Sequence, residues 1–117
     1  MKIRLIIPHD HPNRNIEPIA VYGPRIADIA GGFTAWRATG GWKDAKGDLI
    51  VEPVTVIDTG KSWLGVPDDG AHASAYANAY DNLRNEFRAL AATIAKDLSQ
   101  ECVYLEIDGI VEYVKPV

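Results

Sequence analysis

Residues 74–98, SAYANAYDNLRNEFRALAATIAKDL, decide the fold. Tyr76, Tyr80, Leu83, Phe87, Leu90, Ile94 and Leu98 recur at spacings of four and three. That period places them on one face of an α-helix. Ser74 stands where a hydroxyl can accept from the free amides of the first turn. A helix of about 24 residues spans ~36 Å, and with one apolar face it needs a sheet to lie on. Strands of six or seven residues cover only ~20–23 Å, so its N-terminal end, with Tyr76 and Tyr80, is expected to overhang.

Reading outward, residues 101–107 predict a strand, Asp108-Gly109 a tight turn, and 110–115 a last strand. Toward the N-terminus, residues 59–73 are rich in Gly, Pro and Asp and predict an extended loop. Residues 33–42 and 48–58 predict two strands joined through Lys43-Asp44-Ala45-Lys46-Gly47. Residues 2–7 predict a first strand that Pro8 ends. A loop follows over 8–18, with Pro8, Pro12 and Pro18. Pro24 suits the start of a short helix to Ala30, stopped by Gly31-Gly32. The expected order is β-α-β-β-α-β with an additional C-terminal strand: a ferredoxin-like α+β sandwich, one domain over 1–117.

Composition narrows the function classes. The chain has 117 residues, 47 % of them apolar and 24 % charged, with a net charge of −4 and one Cys. Those fractions belong to a folded globular domain. Cys102 alone forms no intramolecular disulfide. Twelve basic residues face sixteen acidic ones, with no basic run, so no nucleic-acid partner is expected. No apolar run approaches the ~18 residues of a membrane span, and the segment before Pro8 is too short for a secretion signal. A cytoplasmic protein without membrane attachment is the expectation.

The central hairpin is the most informative segment. With a turn centred on Ala45-Lys46, Trp42 faces Leu49, Gly40 faces Val51, and Trp36 faces Thr55. Trp36 and Trp42 then share one face, while Glu52 lies on the other, diagonal to Arg37. The plain reading is aromatic packing on one side and a Glu52–Arg37 ion pair on the other; the functional reading makes Glu52 a pocket acid or base. A slip of one residue would exchange these faces. Pro53 removes a ladder donor, so a bulge or an edge is expected there. Strand 48–58 is apolar on both faces, which predicts cover over the second face, by a second copy of the chain or by loop 8–18.

Gly40-Gly41-Trp42, Gly47, Glu52-Pro53 and Gln100-Glu101-Cys102-Val103 together resemble a family of small uncharacterised bacterial and phage proteins. Its pattern is Gly-x-Trp, a nearby Gly, a Glu on the next strand, and Gln-Glu-x-Val opening the last core strand. The resemblance covers residues 30–107 and implies a ferredoxin-like fold. It singles out Trp42, Glu52, Gln100 and Glu101, without implying a chemistry. The residues themselves offer a structural role for Gln100 and Glu101, which follow the long helix where polar side chains can satisfy free backbone groups.

Other motifs fall short. His9, Asp10 and His11 are ligand types for zinc, but the set is incomplete, so no metal or other cofactor is expected. Residues 58–62, Asp-Thr-Gly-Lys-Ser, end like a phosphate loop but lack its first glycine and its following helix. Ser74 with His72 and Asp69 lacks a nucleophile-elbow pattern. Cys102 reads as a small apolar strand residue. The resulting expectation is a non-catalytic binding or assembly protein, for which the resemblance implies a phage or mobile-element type. It would self-associate, a dimer being favoured, and would use Tyr76, Tyr80 and loop 59–73 toward a protein partner. The alternative is a small enzyme or ligand binder whose pocket is lined by Glu52 with Trp36 or Trp42.

Overall fold

The computed structural model describes residues 1–9, 17–61 and 64–117. The elements are β1 (Lys2–Pro8), α1 (Pro18–Ala30), β2 (Thr34–Lys43), β3 (Leu49–Gly60), a 3-10 turn (Gly70–His72), α2 (Ala73–Asp97), β4 (Val103–Ile107) and β5 (Ile110–Val114). No described helix is long and apolar enough to cross a membrane.

The sheet corrects the ferredoxin-like expectation. It is five strands wide in the order β2-β3-β1-β4-β5, with each neighbouring pair antiparallel. This is not a simple β-α-β-β-α-β layout. At one side Asp108 and Gly109, at φ +49° and +83°, make a two-residue reversal whose twist matches the strands, and β5 pairs fully with β4. At the other side β2 and β3 stay paired from Thr34↔Asp58 to Lys43↔Leu49. The β1 ladder on β3, by contrast, ends at Pro8↔Val54. Beyond that point the hairpin projects as a two-stranded arm, and the molecule measures 52 × 29 × 24 Å. Leu49 and Val51, on the helix side of the arm, lie beyond the helices and are exposed.

Helix α2 lies against one face of the sheet. Phe87, Leu90, Ile94 and Leu98 are buried against Ile3, Leu5, Ile7, Ile57, Val103, Leu105 and Ile107. Each such side chain removed from water contributes ~1.5–3 kcal/mol. Burial begins at Leu83, and the residues from Ala73 to Asn82 are exposed or half-buried. Two hydroxyls fasten the helix: Tyr80 donates to Asp108 at 2.7 Å and Tyr22 of α1 donates to Asp97 at 2.9 Å. Arg88 donates twice to Glu112 Oε1, at 3.0 and 2.8 Å, tying α2 to β5.

Three local expectations are corrected and a fourth is narrowed. Helix α1 begins at Pro18, not Pro24, with Glu17 as its cap. Pro18 occupies the first turn, where its missing N–H costs nothing, and Pro24 lies inside the helix. Ser74 is not the cap of α2; His72 is, while Asp69 accepts from the His72 amide at 2.9 Å and caps the short turn before it. Strand β3 continues to Gly60, so the loop after it begins later. Pro53 takes the second of the two expected places, an edge and not a bulge: the β2 ladder is continuous through Thr39↔Pro53, and the β1 ladder ends one residue away, at Pro8↔Val54. Its missing N–H faces the end of β1, where its carbonyl accepts from the His9 amide at 3.0 Å.

Candidate functional site: the open face of the sheet

The hairpin loop decides which residues meet. Asp44 Oδ1 accepts from the amides of Lys46 (2.9 Å) and Asp48 (3.0 Å), and the Gly47 amide donates to the Asp44 carbonyl at 3.0 Å. Gly47 sits at φ +84°, a conformation that glycine adopts without a Cβ penalty. This glycine adds one residue to the loop, so Lys43 pairs Leu49, Trp42 pairs Ile50 and Gly40 pairs Glu52. The expected register is therefore corrected by one residue, and the faces exchange. Trp36, Gly40, Trp42 and Glu52 all lie on the face away from the helices. The expected Glu52–Arg37 pair is replaced: Arg37 donates to Glu17 at 3.1 Å.

Two rows of side chains cross this open face. Trp36, Val56, Ile6, Tyr104 and Tyr113 are successive cross-strand partners over all five strands. Tyr104 and Tyr113 meet edge-to-face, 5.8 Å between centroids at 78°. The next row holds Asp58, Arg4 and Glu106. Arg4 grips Asp58 with two bonds of 2.7 and 2.8 Å and stacks on Trp36 at 5.6 Å. Arg4 in turn holds the Asp58 carboxyl below its ordinary range, first through that hydrogen bond. Tyr104 donates to Glu106 at 2.6 Å, a bond that pushes the phenol up and keeps it protonated, with burial adding to the effect.

Beside these rows lies a cavity of 560 Å³, within the ~300–1,000 Å³ usual for small-molecule sites. Trp42 and Gly40 of the arm form one wall, Ile6, Pro8 and Val54 another, and Gln100, Glu101, Cys102, Tyr104 and Tyr113 the third. Glu52 is 6 % exposed on the same face, directly across from Gly40. The described lining is aromatic and apolar, with Glu101 as its carboxylate and no Lys or Arg. Such a lining favours a cationic ligand with a flat ring: carboxylates attract the charge, and aromatic faces stabilise both a cation and a stacked ring.

The structure gathers four of the candidate residues. Trp42, Gln100 and Glu101 line the cavity, and Glu52 adjoins it. Ser99 at φ +54° turns the chain after α2, the Gln100 amide donates to the Ala95 carbonyl at 2.8 Å, and its side chain donates to the Leu98 carbonyl at 3.2 Å. Gln100 thus serves the helix-to-strand junction and the cavity rim together. Trp36 is on the same face but stacks with Arg4. Tyr76 and Tyr80 belong to the opposite, helical side of the sheet and do not meet this cavity. Burial and its bond to Asp108 push the Tyr80 phenol up to about 12. His9 contacts the Thr55 hydroxyl, whereas Asp10 and His11 lie outside the described residues, as does most of loop 8–18. Among the described residues no metal-holding cluster of His, Cys, Asp and Glu occurs. Sequence reasoning missed Tyr104 and Tyr113 as site residues, although the Asp108-Gly109 turn already pairs them.

No protein-family model and no curated protein sequence matches the chain. Two solved structures resemble it. One is a phage SAM lyase in complex with S-methyl-5'-thioadenosine, with a TM-score of 0.56 and 13 % identity over 97 % of this chain and 88 % of that one. The other is the phage SAM lyase in its apo state, with a TM-score of 0.53 and 14 % identity over 97 % and 87 %. The α+β fold is thus one found in a phage enzyme. The expectation of a non-catalytic binding or assembly protein is corrected on that ground: both of these similar structures are of a phage enzyme.

Proposed function

We propose that this protein is a small enzyme whose open-face cavity binds S-adenosylmethionine and cleaves it as a lyase, releasing S-methyl-5'-thioadenosine. The observation that carries the reading is the cavity walled by Trp42, Tyr104 and Tyr113 with Glu101 at its lining, on a fold like that of the phage SAM lyase. S-adenosylmethionine is a cation with a flat base; the cavity supplies aromatic stacking surface and the Glu101 carboxylate, with Glu52 beside it on the same face.

The product keeps the methyl group and the 5'-deoxyadenosyl group. The bond that breaks therefore joins the sulfonium sulfur to the methionine-side carbon, and its electron pair goes to sulfur, which becomes a neutral thioether. The carbon fragment is completed without water. Either it loses a neighbouring proton to a base, or its own carboxylate attacks the carbon. Positive charge at sulfur fades along this path, so a carboxylate against sulfur would hold the substrate more tightly than the transition state. The aromatic wall of Trp42, Tyr104 and Tyr113 suits the sulfur better, and Glu52 and Glu101 suit the substrate's ammonium group. Glu52, the buried carboxylate of this face, is the base should the proton-loss route operate.

Affinity tests the electrostatic part. S-adenosylhomocysteine differs by lacking the methyl and the sulfonium charge. With a cation–π preference of ~0.5–2 kcal/mol, S-adenosylmethionine should bind about 2- to 30-fold more tightly. Equal or reversed affinities in titration calorimetry would contradict the reading. We propose also that the chain self-associates, a second copy covering the apolar side of the arm, where Leu49 and Val51 are 67 % and 59 % exposed. Light scattering should return at least a dimer, and a monomer at micromolar concentration would contradict it.

A further inference from the structure

On the open face, β2 presents Trp36, Ala38, Gly40 and Trp42 in turn, opposite Val56, Val54, Glu52 and Ile50. Between the two indoles the wall falls to a methyl group and then to bare backbone. A Cβ placed on Gly40 would stand 2.9 Å from Val54 Cγ1 and 3.8 Å from Trp42 Cζ3. The six-membered ring of Trp42 thus lies back along its own strand toward Gly40. The Val54 isopropyl group leans in from the neighbouring strand to the same spot. Val54 is 4 % exposed and β-branched, so it has little rotameric room to give way. Gly40 is also at φ outside the left-handed region, so backbone conformation alone would accept alanine. Its requirement for glycine is one of space inside the cavity.

We propose that Gly40 is a positioning residue for the nucleoside. The bare backbone there, backed by the buried Val54, leaves a flat seat beside the Trp42 ring, on which the planar base of the ligand rests. This rests on the lyase reading of the same cavity and adds the part of the substrate that β2 recognises. Glu52, across from Gly40, then lies at the edge of that seat. A methyl group at position 40 would displace Val54 and raise the floor in contact with the Trp42 ring, without touching the carboxylates.

The test measures S-methyl-5'-thioadenosine binding and S-adenosylmethionine turnover in wild type, Gly40→Ala and Gly40→Ala/Val54→Ala. The Gly32→Ala variant serves as control, since a Cβ there meets no heavy atom within 4 Å. Gly40→Ala should weaken binding and raise KM about tenfold or more, while kcat at saturation changes less than about threefold. The double variant, free of the Val54 Cγ1 contact, should recover most of the loss, whereas a variant damaged only in folding would not. In a Trp36→Phe/Trp63→Phe background, Gly40→Ala should shift the emission of Trp42 before any ligand is added. Wild type that binds while Gly40→Ala binds equally well overturns the inference alone. Wild type that binds neither compound overturns the lyase reading and the seat with it.

Discussion

Replacing Gly47 tests the register on which the site depends. The residue sits at φ +84°, and a Cβ there would meet nothing within 4 Å. The cost of Gly47→Ala is therefore conformational alone, roughly 1–2 kcal/mol for an L-residue held left-handed. Unfolding entropy of ~2.1 cal/mol/K per residue makes about 0.25 kcal/mol/K for a chain of this length, so the melting temperature should fall by about 4–8 °C. Asparagine tolerates the left-handed region, and Gly47→Asn should lose markedly less. Thermal unfolding by circular dichroism reads this directly. Should the arm open locally instead, the melting temperature would hold and the Lys46 and Asp48 amides, which donate to Asp44, would exchange faster. If Gly47→Ala changes neither quantity, the loop does not use a left-handed residue. Trp42 and Glu52 would then not share a face as described.

Phe87→Ala removes a side chain that is 0 % exposed and should cost ~3–5 kcal/mol, measured by urea unfolding; a loss under 1 kcal/mol would mean that α2 does not seat as described. Glu52→Gln keeps shape and removes charge. It should lower kcat/KM about 10- to 150-fold if Glu52 only holds the ammonium group by a charged hydrogen bond of ~1.5–3 kcal/mol, and should lower kcat by 100-fold or more, at about the scale of general-base catalysis, if it takes a proton. Unchanged kinetics would remove Glu52 from the site. Arg4 lowers the Asp58 carboxyl in the folded state, so its stabilising effect is complete above the unfolded value of about 3.9 and is lost as pH falls through the lower folded value. The melting-temperature gap between wild type and Asp58→Asn should accordingly be present at neutral pH and shrink in acid; a gap that grows in acid would contradict the pairing. A wild-type minus Tyr80→Phe phenolate titration should find its midpoint near 12 rather than 10.0.

Much of this architecture is legible in the residues. The seam from Leu83 to Leu98 marks α2 because four-and-three spacing has no other reading over that length. The Asp108-Gly109 pair marks the last hairpin because both positions need φ above zero. Three things are less legible. Helix α1 hides behind Pro24, whose cost inside a helix is offset by burial of Tyr22, Gly23 and Ile26. The central hairpin turns on whether Gly47 lies within the loop or begins the next strand, and one residue of difference moves every side chain to the other face. The projecting arm depends on how far the β2–β3 ladder outruns the β1–β3 ladder, which no local pattern encodes. The cavity follows from all three. Trp42, Glu52, Gln100 and Glu101 could be named from the sequence, but their meeting with Tyr104 and Tyr113 required the register.

The most direct test of the account is product formation. Purified protein is incubated with S-adenosylmethionine, and S-methyl-5'-thioadenosine is quantified by chromatography against the same solution without protein. The account predicts release of the thioether well above that background, scaling with protein concentration and falling in Trp42→Ala. Release no faster than background, with the folded protein verified by circular dichroism, would contradict it.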